Sequence, residues 1–574
     1  MKGAPISSGI VMGRTRVILP GDIKVAEVAV PASQLDNEIK RLDKAVAKTI
    51  EELRQIRDTA GRKMGGPVAK IFDAQLLIAG DYEFLKQVKE QIASEKRNAG
   101  FIYNSLVKKT TTPLKKSEDA YLRQMVQDIE AVANKVLANL GGSHKKPEVK
   151  FPADTILVGK SFTPGEVLAY RNRKITGFLI GEGGRNSHMA LIARSLLIPM
   201  VLADRVWTRV PNDCRIIIDG TNGLVIINPN EKDWVKYQRR RRRQGPVTIS
   251  RIKKLQQIPP LTSDGVAINV AANLELPGPV DDILSSKNIP VGLYRTEFLY
   301  LEREDFPDEK SQYEYYRSIA ERFSKSYVIL RTFDLGSDKF RNNDNSVAED
   351  NPALGWRGIR SMLDMTDVFK TQIKAILRAS VLKNLRIMLP MISDITELEK
   401  AKKLISQVMF DLRREAIPFD SQIKIGVMVE VPSAALTADQ LAQKVDFISI
   451  GTNDLTQYTM STDRNNSRVA GLYNSYHPSV LQLIKMTVDA CMRNDIEVSV
   501  CGEMAGDKQA LPLFIGMGVK NLSMNPTKIT DICRLIRKID SNLVYHLAVS
   551  VLSSRTAASV TRKLQSFIVA LEKK

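Results

Sequence analysis

The chain has few cysteines and few histidines for its 574 residues, four of each. The cysteines are scattered and lack a repeated Cys-x-x-Cys spacing: they are Cys214, Cys491, Cys501 and Cys533. We therefore expect neither a disulfide framework nor a zinc site. The sequence also lacks an apolar run of about 18 residues, and its first residues lack the apolar segment of a signal peptide. Together these absences favour a protein of the reducing cytoplasm.

Negative charge is also scarce, since 64 Asp and Glu face 84 Lys and Arg and leave a net charge of +20. Such an excess suits nucleic acid, an acidic partner protein or anionic substrates. The densest basic run is Arg239–Arg243, and the simpler interpretation is the solvated face of a linker helix. Nucleic-acid binding is the weaker interpretation, because no helix-turn-helix pattern and no basic strand with interleaved aromatic residues accompanies the run.

Apolar periodicity divides the chain into segments. Helical spacing over residues 21–144 predicts a helical bundle. Short β-type runs in 1–20 and 145–230 predict an α/β domain into which this bundle is inserted. A charged, helix-prone linker follows over 231–258. Over 259–574, eight strand-like runs alternate with helical segments, which predicts a (β/α)₈ barrel. The expected fold is therefore multidomain α/β ending in a TIM barrel.

Within the bundle, the pattern predicts a long helix over 33–57 that stops near Gly61. The later helical stretches are predicted at 71–92, 101–110 and 120–140.

His188 follows the run Gly183-Gly184-Arg185-Asn186-Ser187 and precedes the helix-like MALIARSLLI. A glycine pair before a helix start can hold an anion against free N–H groups. Histidine at that position is competent to carry a phosphoryl group. A histidine that caps or packs at a turn remains the plain alternative.

Polar residues follow five of the strand-like runs. They are Arg295, Arg331, Glu430, the pair Asn453 and Asp454, and Cys501. Barrel active sites form at the carboxyl ends of the strands, so we expect these side chains to converge on one mouth.

Glu430 and Asp454 would form a two-carboxylate site suited to Mg²⁺, which completes its shell with water and phosphate oxygens. A structural carboxylate pair is the equal alternative. Arg295, Arg331 and Arg464 offer planar donors for phosphate and carboxylate. Lys339, Arg357 and Arg360 add positive potential without an assigned role.

Cys501 has two interpretations. A buried filler is the commonest fate of a free cysteine. A thiol beside two carboxylates and a bound phosphate would instead stay protonated and serve as an acid toward a carbanion-like carbon.

With these residues in place, the chain resembles the Enzyme I family of the phosphoenolpyruvate-dependent sugar phosphotransferase system over essentially its whole length. The motifs that carry the resemblance are GGRNSHMALIARSLLIPMV, VGLYRTEFLY, VILRTFDLGSDK, NPALGWRGIR, GVMVEVPSAAL, DFISIGTNDLTQYTMSTDRNN and CGEMAGD.

The resemblance implies that His188 accepts the phosphoryl group and that Cys501 donates a proton. It implies a Mg²⁺ site at Glu430 and Asp454. The residues it implies for phosphoenolpyruvate binding are Arg295, Arg331, Asn453, Asp454 and Arg464. It further implies that the helical bundle binds the carrier protein HPr, which receives the phosphoryl group, and that the barrel forms a homodimer.

Some positions depart from the family pattern. Asn186 stands where the family usually has threonine, Gln75 replaces a histidine, and Ser337 replaces a glycine. Gln124-Met125-Val126 replaces a Glu-Arg-Ala sequence. We therefore expect intact phosphoenolpyruvate chemistry and a remodelled HPr surface.

Two other functions compete. Pyruvate phosphate dikinase and phosphoenolpyruvate synthase share the histidine and barrel modules but need an ATP-grasp domain, for which the 187 mostly helical residues before His188 are too few. A regulatory protein that senses phosphoenolpyruvate with weak or no transfer to HPr is the alternative that the altered bundle motivates.

Overall fold

The computed structural model describes most of the chain. The described residues are 1–7, 9–18, 25–64, 66–115, 120–141, 151–152, 154–162, 166–167, 170, 175–182, 188–196, 198–244, 260–275, 277–301, 305–336, 349, 351–464 and 469–573. Two compact units divide the chain: Met1–Val247 with Pro277–Pro279, and Thr248–Leu276 with Val280–Lys574.

The first unit contains a seven-stranded sheet in the order β1-β5-β4-β3-β2-β6-β7. Its strands are β1 Ala4–Ser7, β2 Ile10–Ile18, β3 Thr155–Gly159, β4 Ile175–Ile180, β5 Met200–Leu202, β6 Arg215–Asp219 and β7 Leu224–Ile227. The run β2-β3-β4-β5 is parallel, and β1, β6 and β7 add antiparallel edges. The predicted α/β fold is confirmed, although the pattern missed β1.

Both faces of this sheet are covered. Leu157 packs into one core cluster, whereas its neighbours Ile156 and Val158 pack into another. This alternation follows from the period of two along a strand. Because both faces of β3 are buried in this way, its sequence is a continuous apolar run.

The helical bundle begins with α1 Leu35–Met64 and continues through α2 Gly66–Ala79, α3 Tyr82–Glu95, α4 Ala99–Lys115 and α5 Ala120–Leu140. Leu42, Val46 and Leu53 of α1 are buried in its core, as their helical spacing predicts. The single stretch predicted at 71–92 is wrong, because α2 and α3 are separate helices. Asp81 starts α3 by accepting a hydrogen bond from the Phe84 N–H at 3.0 Å.

Three further helices belong to the first unit: α6 His188–Ser195, α7 Val206–Arg209 and α8 Glu231–Gln244. Met189, Ala190 and Ile192 of α6 are buried against the sheet. The basic run lies at the end of α8, as predicted. The rest of the linker, over 245–259, falls outside the described residues. In the part of the chain that is described, no helix is long and apolar enough to cross a membrane.

The second unit is a closed barrel of eight parallel strands. They are β8 Asn269–Leu274, β9 Val291–Arg295, β10 Val328–Arg331, β11 Leu385–Leu389, β12 Lys424–Val429, β13 Phe447–Ile450, β14 Glu497–Val500 and β15 Asn521–Met524. Every one of the eight predicted runs supplies a strand, so the predicted barrel is confirmed.

Helices alternate with these strands. They are α9 Pro279–Ser286, α10 Phe298–Leu301, α11 Glu309–Arg322, α12 Ile359–Asp364, α13 Thr366–Ala379, α14 Ile395–Arg414, α15 Pro432–Leu436, α16 Ala438–Ala442, α17 Thr452–Thr459, α18 Pro478–Arg493, α19 Leu511–Met517, α20 Pro526–Ile536, α21 Ser541–Leu552 and α22 Ala557–Lys573.

Candidate active site

The predicted polar residues lie at the carboxyl ends of barrel strands. Arg295 and Arg331 are the last residues of β9 and β10, and Glu430 directly follows β12. Cys501 directly follows β14, while Asn453 and Asp454 lie in the first turn of α17, just after β13. Because parallel strands in a barrel end at one rim, these side chains share the mouth predicted from the sequence.

Arg331 is the buried basic group of this mouth, with 7% of the residue exposed. Its Nη2 lies 2.7 Å from Oε1 of Glu297, and its Nη1 lies 3.0 Å from Oδ2 of Asp334. Although burial opposes the charge, these two carboxylates and Glu430 raise the pKa of Arg331 above its ordinary value. Its buried Nε has no hydrogen-bond partner among the described residues, which leaves a donor for a ligand.

Arg295 and Arg464 are the more accessible arginines, with side chains 40% and 39% exposed. Arg295 forms an ion pair with Glu275, and Nη2 of Arg464 lies 3.8 Å from Oδ1 of Asp454. Guanidinium groups in such partly open positions can exchange a carboxylate partner for the oxygens of an anionic substrate.

Glu430 is a buried carboxyl, 1% exposed, whose Oε1 accepts a hydrogen bond from the Met391 N–H at 2.9 Å. Burial is the largest cause of its raised pKa, about 8, and the neighbouring Asp454 and Asp334 raise it further. Arg331 acts in the opposite direction. A cation placed between Glu430 and Asp454 would relieve this concentration of negative charge.

Cys501 lies in an apolar cluster with Leu293, Ile329, Met388, Met428 and Phe447. The residue is 4% exposed, and burial raises the pKa of its thiol to about 11. Its Sγ donates to the Ile450 carbonyl at 3.5 Å. The thiol therefore stays protonated at neutral pH, as an acid must.

Asn273 and Asn453 fix the backbone around Cys501. Nδ2 of Asn273 donates to the Cys501 carbonyl at 2.8 Å, and its Oδ1 accepts from the Ser523 hydroxyl. Oδ1 of Asn453 accepts from the Glu503 N–H at 3.0 Å. The ends of β8, β14 and β15 are thereby tied together beside the thiol.

Several residues of the mouth were missed or left without a role. Glu297 and Asp334 were not singled out, although each follows an arginine at a strand end by two or three residues. Arg357 received no role, yet its guanidinium binds Asp334 and lies 4.0 Å from Asp454. Asn273 was also missed, since an asparagine at the end of β8 carries no charge signal.

Other predicted positions give a mixed result. The helix after the Gly-rich run begins at His188; the side chain of His188 and residues 183–187, including Asn186, lie outside the described residues. Ser337 and Lys339 also lie outside them, as does the side chain of Gln124. Met125 is 39% exposed.

Gln75 is buried, with 4% exposed, and its Nε2 donates to Asp128 at 3.0 Å. Its replacement of a histidine therefore changes the interior of the bundle. This weakens one reason for expecting a remodelled surface.

Family models match three consecutive parts of the chain. They are described as PEP-utilising enzyme, N-terminal (residues 2–124), PEP-utilising enzyme, mobile domain (151–223), and PEP-utilising enzyme, PEP-binding domain (250–541). The fold and the matched models together define a phosphoenolpyruvate-utilising enzyme.

Curated relatives narrow this class. The phosphoenolpyruvate-protein phosphotransferase of Listeria innocua is 35% identical over 568 residues, which covers 99% of both chains. The enzyme of that name from Geobacillus stearothermophilus is 37% identical over 559 residues, 97% of this chain and 96% of its own. That of Bacillus subtilis is 35% identical over 561 residues, 98% of each. The chain belongs to the phosphoenolpyruvate-protein phosphotransferase family.

Proposed function

We propose that the chain transfers the phosphoryl group of phosphoenolpyruvate to His188 and then to a histidine of HPr, with release of pyruvate, as the first step of sugar uptake. The observation that carries this proposal is the barrel mouth, where arginine donors, the buried Glu430, the nearby Asp454 and a protonated thiol meet. The proposal is also supported by the match between this chain and its phosphotransferase relatives, which extends over nearly their whole length.

We assign substrate binding to Arg295, Arg331, Asn453, Asp454 and Arg464. The arginines would hold the phosphate and carboxylate of phosphoenolpyruvate, because planar guanidinium groups match both anions. Positive donors around the phosphoryl oxygens favour the charge distribution of in-line transfer, so catalysis would rest on positioning and electrostatics.

We assign Mg²⁺ to Glu430 and Asp454. Among the described residues no group of three or more His, Cys, Asp or Glu side chains could hold a metal ion. Two carboxylates nevertheless fit Mg²⁺, which often takes one or two protein carboxylates and completes its shell with water and substrate oxygens. The raised pKa of Glu430 also indicates charge that a cation would compensate. When bound, Mg²⁺ would neutralise the phosphoryl oxygens of the substrate.

The proposed reaction moves the phosphoryl group from the enol oxygen of phosphoenolpyruvate to His188. A ring nitrogen of His188 forms a bond to phosphorus while the bond from phosphorus to the enol oxygen breaks. The electrons of that bond leave with the enolate of pyruvate. Cys501 gives its proton to the methylene carbon of the enolate, which produces pyruvate, and the thiolate regains a proton from water. The pKa of about 11 keeps Cys501 in the donor form before the reaction.

We propose that the segments predicted from the sequence are the working domains. Residues 1–20 with 145–230 would carry His188, 21–144 would bind HPr, 231–258 would act as the hinge, and 259–574 would bind phosphoenolpyruvate. Since donor site and HPr surface belong to different domains, the His188 domain would have to move between them. This proposal is supported by the family model that matches residues 151–223, because that family is described as a mobile domain.

We also propose that the chain is a homodimer through its barrel and that it works in the cytoplasm with HPr. A dimer would give twice the monomer mass of 64.1 kDa in sedimentation equilibrium. The alternative of a sensor without phosphoryl transfer gains no support from the mouth, where Cys501 and Glu430 are both present.

Radiolabelled phosphoenolpyruvate with Mg²⁺ tests the proposal. We expect one acid-labile phosphoryl group per chain, mapped by mass spectrometry to His188, and no label in His188→Ala. A label on another residue would contradict the assignment. The labelled protein is then mixed with HPr, which should take the label. A chain that is labelled but never discharges to HPr would point to the sensor.

A further inference from the structure

Gln372 of α13 links three other parts of the barrel: the ends of β9 and β10 and helix α11. It is fully buried. Its Oε1 accepts a hydrogen bond from the Phe333 N–H at 3.0 Å. Its Nε2 donates to the hydroxyls of Thr296 at 3.1 Å and Tyr316 at 3.0 Å. A single amide therefore satisfies three buried polar groups, which would be costly to leave without partners.

Two of these partners adjoin the arginines of the mouth. Thr296 directly follows Arg295 at the end of β9, and Phe333 lies two residues after Arg331 at the end of β10. The Thr296 hydroxyl also donates to the Arg331 carbonyl at 2.7 Å. The two strand ends are thus joined to each other and to Gln372.

The orientation of the amide is determined by its neighbours. The Thr296 hydroxyl uses its hydrogen on Arg331, and the Tyr316 hydroxyl donates to Oε1 of Gln312 at 3.1 Å. Both hydroxyl oxygens must therefore accept from Gln372, while the Phe333 N–H requires an acceptor. Only a group with a donor end and an acceptor end in this order fits.

We propose that Gln372 is a positioning residue for phosphoenolpyruvate: it holds the ends of β9 and β10 in register so that Arg295 and Arg331 bind the substrate together. The inference rests on the proposed function of the mouth. It concerns a residue that touches neither substrate nor metal ligand. Its effect is indirect, through the backbone that carries both arginines.

Gln372→Met tests the proposal, because methionine keeps the length and volume of the side chain and removes all three hydrogen bonds. Gln312→Met is the matched control. Gln312 is equally buried and belongs to the same network, but its own bonds go to the Tyr316 hydroxyl and to the Pro307 carbonyl at 2.8 Å. Neither group adjoins Arg295 or Arg331.

We expect both variants to lose similar thermal stability. Gln372→Met should raise the KM for phosphoenolpyruvate in His188 labelling about ten-fold and lower kcat/KM at least as much, since small misplacements of binding groups cost this order of rate. Gln312→Met should stay within about two-fold of the unaltered chain. Equal KM values for the two variants would overturn the positioning role.

A second pair of variants covers the case in which Gln372→Met does not fold. Thr296→Ser keeps the hydroxyl that bonds Arg331, and Thr296→Val removes it with little change in shape. The KM for phosphoenolpyruvate should rise in Thr296→Val and stay at the value of the unaltered chain in Thr296→Ser. If both equal the unaltered chain, the inference is wrong. Should the unaltered chain itself take no phosphate from phosphoenolpyruvate, the proposed function fails, which is a separate result.

Discussion

Arg357 holds Asp334 through two hydrogen bonds, from Nε to Oδ1 at 3.0 Å and from Nη2 to Oδ2 at 2.8 Å. The same carboxylate pairs with Arg331, and Nη1 of Arg357 donates to the Tyr458 hydroxyl at 3.2 Å. Asp334 is therefore shared by two arginines in a buried position. Asp334 thereby holds Arg331, which belongs to the proposed substrate site, next to Arg357, to which no role was assigned from the sequence.

This pair should be strongly coupled in folding. Removing one partner of a buried ion pair costs about 3–5 kcal/mol when the remaining charge is left uncompensated. Because Asp334 still pairs with Arg331 when Arg357 is replaced, we expect Arg357→Met to lose stability toward the lower end of this range, and Asp334→Asn similarly. The double variant should lose less than the sum, with a coupling of at least about 1 kcal/mol. Urea denaturation of the four proteins measures the cycle, and strictly additive losses would contradict the pairing.

Cys501 should affect pyruvate formation much more than substrate binding. Cys501→Ser replaces the thiol by a hydroxyl of similar size, which is a far weaker acid. We expect the rate of pyruvate release to fall about 10²-fold or more, in the range typical of a lost general acid. The affinity for phosphoenolpyruvate, measured by calorimetry, should change by less than about three-fold. Cys491→Ser, at a buried cysteine of α18, is the control. Turnover equal to that of the unaltered chain would make Cys501 a packing residue.

Much of this site could be predicted from the sequence, because the geometry of a barrel brings the ends of its strands together. Once eight parallel strands are recognised, the residues that end them must meet at one rim, whatever their separation in the chain. Arg331, Glu430 and Cys501 could therefore be brought together from apolar runs alone. The sheet of the first unit was likewise visible in its runs, except for β1, whose Pro5 argues against a strand in the sequence.

The pairings within the site could not be predicted in this way. Arg357 and Asp334 are 23 residues apart, and no periodicity relates them. Gln372 lies on a helix, where glutamine is common at exposed positions. Nothing in the sequence therefore indicated that its side chain is buried. Gln75 was interpreted as part of a surface, yet it is buried, because the side on which a residue faces depends on how α2 packs. Such relations arise only from tertiary packing.

Glu430 should make metal-free stability depend on pH. Its pKa is raised from an ordinary 4.5 to about 8, so between these values the folded chain holds a proton that the unfolded chain releases. The stabilisation from this proton is complete below about pH 4.5 and is lost as pH rises to about 8. Glu430→Gln has no proton to lose. Its stability, measured by denaturation in EDTA, should fall less between pH 5 and pH 8 than that of the unaltered chain.

The companion measurement adds Mg²⁺ at pH 8. The melting temperature of the unaltered chain should rise with Mg²⁺, since an ion bound only by the folded state stabilises it. The Glu430→Gln variant should show a smaller rise. Parallel pH profiles would contradict the raised pKa of Glu430. An equal response to Mg²⁺ would separate Glu430 from the proposed metal site.

Gly451 gives a way to disturb the same carboxylate without changing its chemistry. A Cβ at Gly451 would lie 2.9 Å from both Cβ and Oε2 of Glu430, closer than such atoms pack. The backbone of Gly451 has φ −85°, which alanine adopts without strain. The contacts at issue are therefore those with Glu430 and, at 3.1 Å, with Sδ of Met428, the end of a flexible side chain that can move aside. Gly451→Ala should displace the carboxylate and raise the Mg²⁺ concentration for half-maximal His188 labelling about ten-fold. Gly471→Ala is the matched control, because a Cβ there has no atom within 4 Å. A Mg²⁺ requirement unchanged in Gly451→Ala would mean that Glu430 tolerates displacement, which a metal ligand of fixed geometry does not.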